Sequence, residues 1–333
     1  MKKIIVYSLI ALLIVAVSAL YYVHRQYQEF LYQPVFEDLP VILDIEPGSS
    51  YTDFIYLVKS KGGEGTVFNW KLMSRLNDLG HTIKTGEYEV SVPMAPRELI
   101  DLIDNNQVKT YQFTLIEGHT WEQTKRALLS SPLKRDLPDL NDAELKAKLD
   151  ISHGNLEGQF LPETYQYVKG DTDLQVLQRA HQSLQQALDE AWMNRDPNIK
   201  LKSPYELLIL ASIIEKESAV DSERNIISGV FHRRLQKGMR LQTDPTVIYG
   251  VGSAYAGDIT SAHLRTDTPY NTYTRFGLPP TPICMVSKAS LVAAAHPNEG
   301  NELYFVANNQ GGHTFSATYE QHKKAVQRYL SGQ

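Results

Sequence analysis

Two glutamates at the end of an apolar run are the residues of this chain that best fit acid–base chemistry. If the run is helical, each residue turns by about 100°, so Glu217 continues the apolar stripe and Glu215 lies roughly 160° around the helix from it. The two carboxyls therefore cannot share one cleft by simple helical geometry. A carboxyl on an apolar face loses hydration, which raises its pKa and keeps it protonated to higher pH. Glu217 is thus the candidate for a general acid.

The run that carries these glutamates has a clear helix start signal. Ser203 can cap the helix, Pro204 suits its first turn, and Glu206 has the spacing of a capping box. Residues 207–214 are apolar apart from Ser212, so we expect a helix that is buried on most sides. The sequence therefore predicts that the two glutamates lie at the end of a helix in the core.

Both glutamates also have a purely structural interpretation. Glu217 could pair with Arg224 or Arg240 as a buried ion pair. Glu215 could be one partner of an ion pair or of a polar network. Helical geometry alone leaves these alternatives open.

A long segment after the helix, residues 239–282, has little regular periodicity and many glycines and prolines. Its polar and aromatic side chains suit a sugar-binding cleft, because sugars need hydrogen-bonding partners and rings for stacking. A decorated surface loop would have the same composition. The side chains concerned are Thr243, Asp244, Thr246, Tyr249, Asn271, Thr272 and Tyr273.

Other types of site find little support. The chain has no P-loop, GxSxG or HExxH motif, and a net charge of −5 without a concentrated basic patch argues against nucleic-acid binding. His296 and His313 lack metal-ligand spacing and are expected to act as hydrogen-bonding side chains. Cys284 could be a nucleophile with a histidine but has no supporting motif. We therefore expect no metal and no cofactor.

The N-terminus has the composition of a membrane anchor. Two lysines at positions 2–3 precede an uncharged run at 4–23, about the 20 residues needed to cross a bilayer, and Tyr21 and Tyr22 lie at its far end. The lysines predict a cytoplasmic N-terminus with the rest of the chain outside. A cleaved signal peptide is the alternative, because residues 17–19 resemble a small-residue cleavage site, although the apolar run is longer than usual.

Periodicity and capping signals predict a small α/β module followed, from near residue 110, by a larger domain of helices and strands. In the module, strands are expected at 41–45 and 86–90 and helices at 51–60, 67–79 and 96–103. In the larger domain, strands are expected at 108–115 and 303–306, an irregular loop at 155–167, and helices from 120, at 173–192, 203–217, 221–237, 288–295 and 319–330.

Several stretches of the chain together resemble the YceG-like family of endolytic murein transglycosylases. Each stretch is weak alone, but their common order along nearly the whole chain is specific. They are LEGQFLPETY at 156–165, ASIIEKES at 211–218, MRLQTDPTVIYG at 239–250, PYNTYT at 269–274, GLPP at 277–280, LYFV at 303–306 and GGHTF at 311–315.

The resemblance implies an α+β fold with an N-terminal transmembrane helix, a small LysM-like α/β subdomain and a larger mixed α+β catalytic domain. It implies a single-pass protein of the bacterial inner membrane with its catalytic domain on the periplasmic side. The expected divisions are a cytoplasmic tip at 1–3, an anchor at 4–23, a stalk at 24–40, the LysM-like subdomain at 41–110 and the transglycosylase domain at 111–333.

The resemblance also implies a reaction. In the family the second glutamate of the EKE motif is the catalytic acid, and Glu217 occupies that position. The bond cleaved is the β-1,4 link between N-acetylmuramic acid (MurNAc) and N-acetylglucosamine (GlcNAc) inside nascent peptidoglycan strands, which leaves 1,6-anhydroMurNAc ends and serves glycan chain termination. Implied partners are the glycan strands, the membrane and peptidoglycan synthases. The side chains expected to hold the sugars are Gln242, Asp244, Thr246, Tyr249, Asn271, Tyr273 and His313.

Two other functions stay open on the sequence. A hydrolytic muramidase would admit water and leave reducing ends in place of anhydro ends. A membrane-anchored scaffold would bind glycan in an inert cleft, although the desolvation of Glu217 would then serve no purpose.

Overall fold

The computed structural model describes residues 2–77, 83–136, 141–152, 154–217 and 220–332. The chain forms two compact units. The first unit comprises Met1–Tyr111 with Tyr167–Lys169, and the second comprises Gln112–Gln166 with Gly170–Gln333.

The first helix, α1 (Lys2–Tyr32), is apolar over most of its length. Within the span Lys3–Tyr32, an 18-residue window has a mean hydropathy of 2.6 and none of it is buried inside the protein, so the helix is long and apolar enough to cross a membrane. The helix runs beyond the predicted anchor into residues expected to form a stalk. There Tyr27 and Phe30 are buried in the core of the first unit.

The first unit is built on one antiparallel strand pair. Strand β1 (Val41–Ile45) pairs with β2 (Gly86–Val90), and the helices α2 (Tyr51–Ser60) and α3 (Val67–Leu76) lie between them in sequence. Helix α4 (Pro96–Asp104) follows. These elements confirm the predicted order of the module. The predicted helix 67–79 ends at residue 76 in the structure, and residues 78–82 lie outside the described part.

The remaining elements are mostly helical and include two further strand pairs, β3 with β4 and β5 antiparallel to β6. The strands are β3 (Thr110–Thr114), β4 (Thr164–Val168), β5 (Tyr304–Ala307) and β6 (His313–Ser316). The helices are α5 (Trp121–Leu129), α6 (Asp142–Lys148), α7 (Asp173–Met193), α8 (Pro204–Glu217), α9 (Arg224–Gln236), α10 (Asp244–Val251), α11 (Ser261–Arg265), α12 (Lys288–Ala295) and α13 (Tyr319–Ser331).

Helix α8 is the centre of the second unit's core. Every residue from Leu207 to Ile214 is buried, and the helix packs against α7, α9, α10 and α12. The predicted start signal is present, because the Glu206 amide donates to the Ser203 hydroxyl (3.2 Å). Ser212, the polar residue of the apolar run, donates to the Ile209 carbonyl (2.7 Å) and accepts the Ile283 amide (3.0 Å). It therefore fastens the loop before α12 to the core helix.

The segment 239–282 is more regular than its sequence indicates. It contains α10 and α11, which replace the predicted irregular loop. Helices of five to eight residues make at most about two turns, too few for a periodic apolar pattern. Strands β4 and β6 also correct the prediction, which had a loop at 155–167 and no strand after the Gly311-Gly312 turn.

A buried carboxyl joins two helices of the second unit. Glu157, which is 4% exposed, accepts the Trp121 amide at the start of α5 (2.8 Å) and the Tyr249 hydroxyl of α10 (3.1 Å). Burial raises the pKa of Glu157 to about 7, although both hydrogen bonds oppose the rise. Glu157 thereby fixes α10 in place.

We expect Leu210→Ala to destabilise the second unit by about 2–5 kcal/mol, because it leaves a cavity at the centre of a fully buried helix. The exposed counterpart Leu330→Ala, at a residue 77% exposed, is the matched control and should unfold as the wild type does. Thermal unfolding of the second unit, monitored by its susceptibility to limited proteolysis, measures the difference in stability. Equal melting of both variants would contradict the central position of α8.

Glu157→Gln should make the second unit less sensitive to pH. The carboxyl ionises near pH 4.5 in the unfolded chain and near 7 in the folded one, so wild-type stability falls as pH rises through this window. The amide cannot ionise. Between pH 4.5 and pH 8 the variant's free energy of unfolding should therefore rise, relative to that of the wild type, by on the order of 3 kcal/mol. Denaturant unfolding at both pH values, with the exposed Glu122→Gln as control, measures this; a constant difference between variant and wild type would refute it.

Candidate active site

A cleft of about 500 Å³ in the second unit contains the predicted acid. It is formed where the end of α8, the start of α10, the β5–β6 pair and α13 meet. The side chains that line it are Glu217, Arg234, Leu241, Gln242, Asp244, Tyr273, Tyr304, Phe305, Val306, Ala307, His313, Tyr319, His322 and Val326.

Glu217 is the last residue of α8 and is half-buried in the cleft wall. The Thr243 hydroxyl donates a hydrogen bond to its Oε1 atom. Burial raises the pKa of Glu217 to about 6 and nearby Asp244 adds to the rise, whereas the Thr243 bond and His313 oppose it. The C-terminal end of a helix dipole also disfavours a carboxylate. The side chain therefore holds a proton into the mildly acidic range.

The arginines that could have neutralised Glu217 have other partners. Arg224 forms an ion pair with Asp221, and the Arg240 guanidinium lies 4.8 Å from the Phe276 ring centre. Among the residues that the structure describes, no arginine forms an ion pair with Glu217. The buried ion pair considered from sequence is therefore absent from this part of the chain.

Glu215 has the structural role that one interpretation of the sequence gave it. Its Oε2 atom accepts the Ser287 amide (3.0 Å) and the Ser287 hydroxyl (2.5 Å). Ser287 caps α12, so Glu215 ties the end of α8 to the start of that helix. Because the two carboxyls face different surroundings, only Glu217 reaches the cleft.

Three of the predicted sugar-binding residues surround Glu217 on one side of the cleft. The Tyr273 hydroxyl donates to Asp244 Oδ1 (2.6 Å), and burial followed by this bond raises the pKa of Tyr273. Gln242 has a left-handed backbone conformation (φ 49°), and its backbone N–H donates to the Thr272 carbonyl (3.2 Å). Its side chain lines the cleft. All three are polar residues that line the cleft.

His313, a fourth predicted residue, is oriented by a carboxylate that the sequence analysis did not identify. Glu223 accepts the His313 amide (2.9 Å), and its second oxygen lies 2.7 Å from Nδ1. A proton on Nδ1 leaves Nε2 for the cleft. Glu223 follows α8 by only a few residues, but nothing in its spacing indicates a partner 90 residues away.

The other three predicted residues form hydrogen bonds within the protein and are not among the residues that line the cleft. Thr246 donates to the Thr243 carbonyl (2.8 Å), and Tyr249 donates to Glu157. The Asn271 side-chain amide donates to the carbonyls of residues 263, 264 and 266 (3.2, 3.1 and 2.7 Å). Their polar atoms shape the segment that carries the lining residues.

The opposite wall of the cleft comes from residues that the sequence did not single out. Arg234 belongs to α9, Tyr304 to β5, and Tyr319 and His322 to α13. Each lies in an element with an ordinary helix or strand pattern, and only folding brings them together. The described residues hold no group of three or more His, Cys, Asp or Glu side chains that could bind a metal ion.

The arrangement can perform proton transfer to a bound molecule. One oxygen of Glu217 is fixed by a hydroxyl donor, and the other has no protein hydrogen-bond partner within the described ranges. A protonated carboxyl with one free oxygen in a partly desolvated cleft has the form of a general acid.

Comparison with known proteins identifies the family. Residues 43–328 match the model of the YceG-like family. A similar curated protein is an endolytic murein transglycosylase of Bacillus subtilis strain 168, 37% identical over 199 residues, or 60% of this chain and 54% of that protein. Another, from Streptococcus pneumoniae serotype 2 strain D39, bears the same name and is 30% identical over 53% of this chain and 32% of its own.

This chain therefore spans about half the length of the first relative and a third of the second. Among solved structures, a YceG-like protein from Listeria monocytogenes is similar with a TM-score of 0.51 and 27% identity, over 86% of this chain and 99% of that one. Because the family model covers most of its length, this chain belongs to the YceG-like family.

Proposed function

We propose that this chain is an endolytic lytic transglycosylase that cleaves the β-1,4 bond between MurNAc and GlcNAc inside murein strands. The observation that carries the proposal is Glu217, a carboxyl with a raised pKa on the wall of a cleft large enough for sugars. One oxygen of this carboxyl has no hydrogen-bond partner among the described residues. The name shared by the Bacillus and Streptococcus relatives supports the substrate class.

In the first step Glu217 acts as the acid. Because Thr243 occupies Oε1, the proton resides on Oε2 and passes to the glycosidic oxygen as the bond to C1 of MurNAc breaks. The leaving GlcNAc keeps the bonding electron pair and this proton. The sugar's own N-acetyl oxygen shares the positive charge that develops at C1.

In the second step the Glu217 carboxylate takes the proton of the MurNAc C6 hydroxyl. The C6 oxygen then bonds to C1 and displaces the N-acetyl oxygen, which gives the 1,6-anhydro end. No water is consumed, and Glu217 ends protonated as it began. One carboxyl serves both steps because its pKa of about 6 is close to the working pH.

The side chains that we propose to hold the sugars are those on the cleft wall: Gln242, Asp244, Tyr273 and His313. For Thr246, Tyr249 and Asn271 we propose an indirect role, because their polar atoms bind the protein itself. They would position the segment from Gln242 to Tyr273 and not touch substrate.

Asp244 gives specific support to a second candidate, a hydrolytic muramidase. Hydrolysis of glycosides commonly uses two carboxyl groups, and Asp244 lies close enough to Glu217 to raise its pKa. The products separate the two functions, since hydrolysis leaves reducing ends and transglycosylation leaves anhydro ends.

We also propose the arrangement of the chain relative to the membrane. Residues 4–23 would cross the bacterial inner membrane, with 1–3 in the cytoplasm and the catalytic domain at 111–333 on the periplasmic side, where glycan strands and peptidoglycan synthases are met. The apolar helix and its preceding lysines support this topology. For residues 41–110 we propose a LysM-like subdomain, supported by two helices that lie between the strands of an antiparallel pair.

Glu217→Gln should abolish anhydro products while retaining the fold and glycan binding, because the amide has the size of the acid but no transferable proton. We expect a loss of at least about a thousandfold in rate for the removal of the acid that serves both steps. Mass spectrometry of products from purified glycan strands measures it, with the exposed Glu190→Gln as a control that should act as wild type. If the Glu217→Gln protein released anhydro products as the wild type does, Glu217 would not be the acid.

The activity should fall as pH rises through the pKa of Glu217, about 6, because the first step needs the protonated form. Thr243→Val removes the hydrogen bond that lowers this pKa, so the falling limb of kcat/KM should move to higher pH by roughly half to one unit. The exposed Thr164→Val is the matched control and should keep the wild-type profile. A Thr243→Val limb at unchanged or lower pH would show that another group is the acid.

A further inference from the structure

The cleft is lined by a buried guanidinium that has no carboxylate partner among the described residues. Arg234 is 7% exposed. Its Nε donates to the Leu303 carbonyl (2.6 Å), and its Nη1 donates to the carbonyls of Arg240 (3.2 Å) and Leu241 (2.8 Å). Nη2 donates to no atom of the described residues, and no carboxylate there forms an ion pair with Arg234.

The neighbouring Arg233 shows how a buried guanidinium is usually neutralised by a carboxylate. Arg233 is also partly buried, but its Nη2 donates to the Glu302 carboxylate at 3.0 Å. Burial of a charge is unfavourable unless it is paired and hydrogen-bonded. Arg234 therefore retains an uncompensated positive charge and free donor capacity beside the cleft that it lines.

A second side chain with an unpaired hydrogen-bonding atom, His322, lies next to Arg234. His322 stacks on the Tyr304 ring, with ring centres 5.2 Å apart and planes at 19°, and the Arg234 guanidinium is 5.2 Å from the centre of the same ring. The Nδ1 atom of His322 is buried and has no hydrogen-bond partner. Burial and then the charge of Arg234 lower the pKa of His322, so an anion bound beside Arg234 would offset that charge.

The cleft's own carboxyls do not fill this position. Glu217 is engaged by Thr243 and is influenced by Asp244 and His313, whereas His322 is influenced by Arg234. The cleft is thus lined both by the carboxyl of Glu217 and by the guanidinium of Arg234.

We propose that Arg234 and His322 form an anion subsite that binds a carboxylate of the murein strand. The inference rests on the proposed function and adds to it a means of recognising muramyl residues. A planar guanidinium suits a carboxylate because its parallel N–H groups match the two oxygens. MurNAc carries a lactyl carboxyl that GlcNAc lacks, and this group is either free or extended by a peptide with its own carboxylates.

Recognition of this charge fixes the register of the strand. MurNAc and GlcNAc alternate, so a strand displaced by one sugar would bring the wrong glycosidic bond to Glu217. Anchoring a muramyl carboxylate at Arg234 therefore decides which of the two bonds receives the proton.

The test measures binding by calorimetry at low salt, with the full-length Glu217→Gln protein in detergent so that no ligand is cleaved. The probes are the GlcNAc-MurNAc disaccharide with a free lactyl carboxylate, the same disaccharide as its neutral lactyl methylamide, and the disaccharide that carries a peptide. We expect a carboxylate probe to bind about tenfold or more tightly than the methylamide, as is typical for hydrogen bonds to a charged group. Preference for the free acid assigns the lactyl carboxylate as the ligand, and preference for the peptide form assigns a peptide carboxylate.

Variants of the subsite should weaken this discrimination. His322→Gln in the same background keeps a polar side chain on α13 and should reduce the preference severalfold, and Arg234→Lys should reduce it further. Arg328→Gln removes a positive charge from an exposed position of α13 and should leave the preference unchanged. Because Arg234 also anchors three carbonyls, the comparison of probes on the protein with Arg234 intact is the decisive one.

Equal affinity for the acid, the peptide form and the methylamide would overturn the anion subsite. If the wild-type protein still releases anhydro products from glycan strands in that case, the proposed function stands without it. If none of the probes binds and no anhydro product forms, the proposed function fails and the subsite fails with it.

Discussion

The site depends on the carboxyl of Glu217, which is partly buried because it belongs to α8, the central helix of the core. Helix α8 must be buried because nearly all its residues from 207 to 214 are apolar, and Glu217 is rigidly attached to the end of that run. The free energy of core packing therefore offsets the cost of desolvating the acid. A carboxyl on a loop could move into water and ionise normally, but at the end of α8 it retains its proton until the pH reaches about 6.

A set of polar residues around this helix acts by fixing the backbone and not by facing the cleft. Ser212 binds the loop before α12, and Glu215 binds the cap of that helix. Glu157 joins the start of α5 to α10, and Asn271 closes the turn before Tyr273. Because hydrogen bonds inside the protein are directional, these contacts fix the lining residues more sharply than apolar packing alone would.

The charges along the cleft are paired unequally, and this inequality indicates what the cleft can bind. Glu223 orients His313, Tyr273 donates to Asp244, and Thr243 donates to Glu217, so each of these groups has a defined partner. Arg234 is the exception, since its hydrogen-bond partners within the described part of the chain are neutral carbonyls. A cleft lined by an acid and by a cation without a carboxylate partner among the described residues suits a ligand with both a neutral part and an anionic group.

The sequence by itself determined most of the longer elements and the position of Glu217 at the end of a buried helix, because both depend on short-range chemistry. Capping residues and apolar periodicity specify α2, α8 and α12 within a few residues, and helical geometry assigns Glu217 to the apolar face. Only the tertiary structure decided which polar residues face the cleft. Gln242 and Thr246 have similar surroundings in sequence, yet one lines the cleft and the other is buried. Composition carries no information on side-chain direction in short helices and loops, and the wall formed by Arg234, Tyr304 and His322 exists because elements distant in sequence pack together.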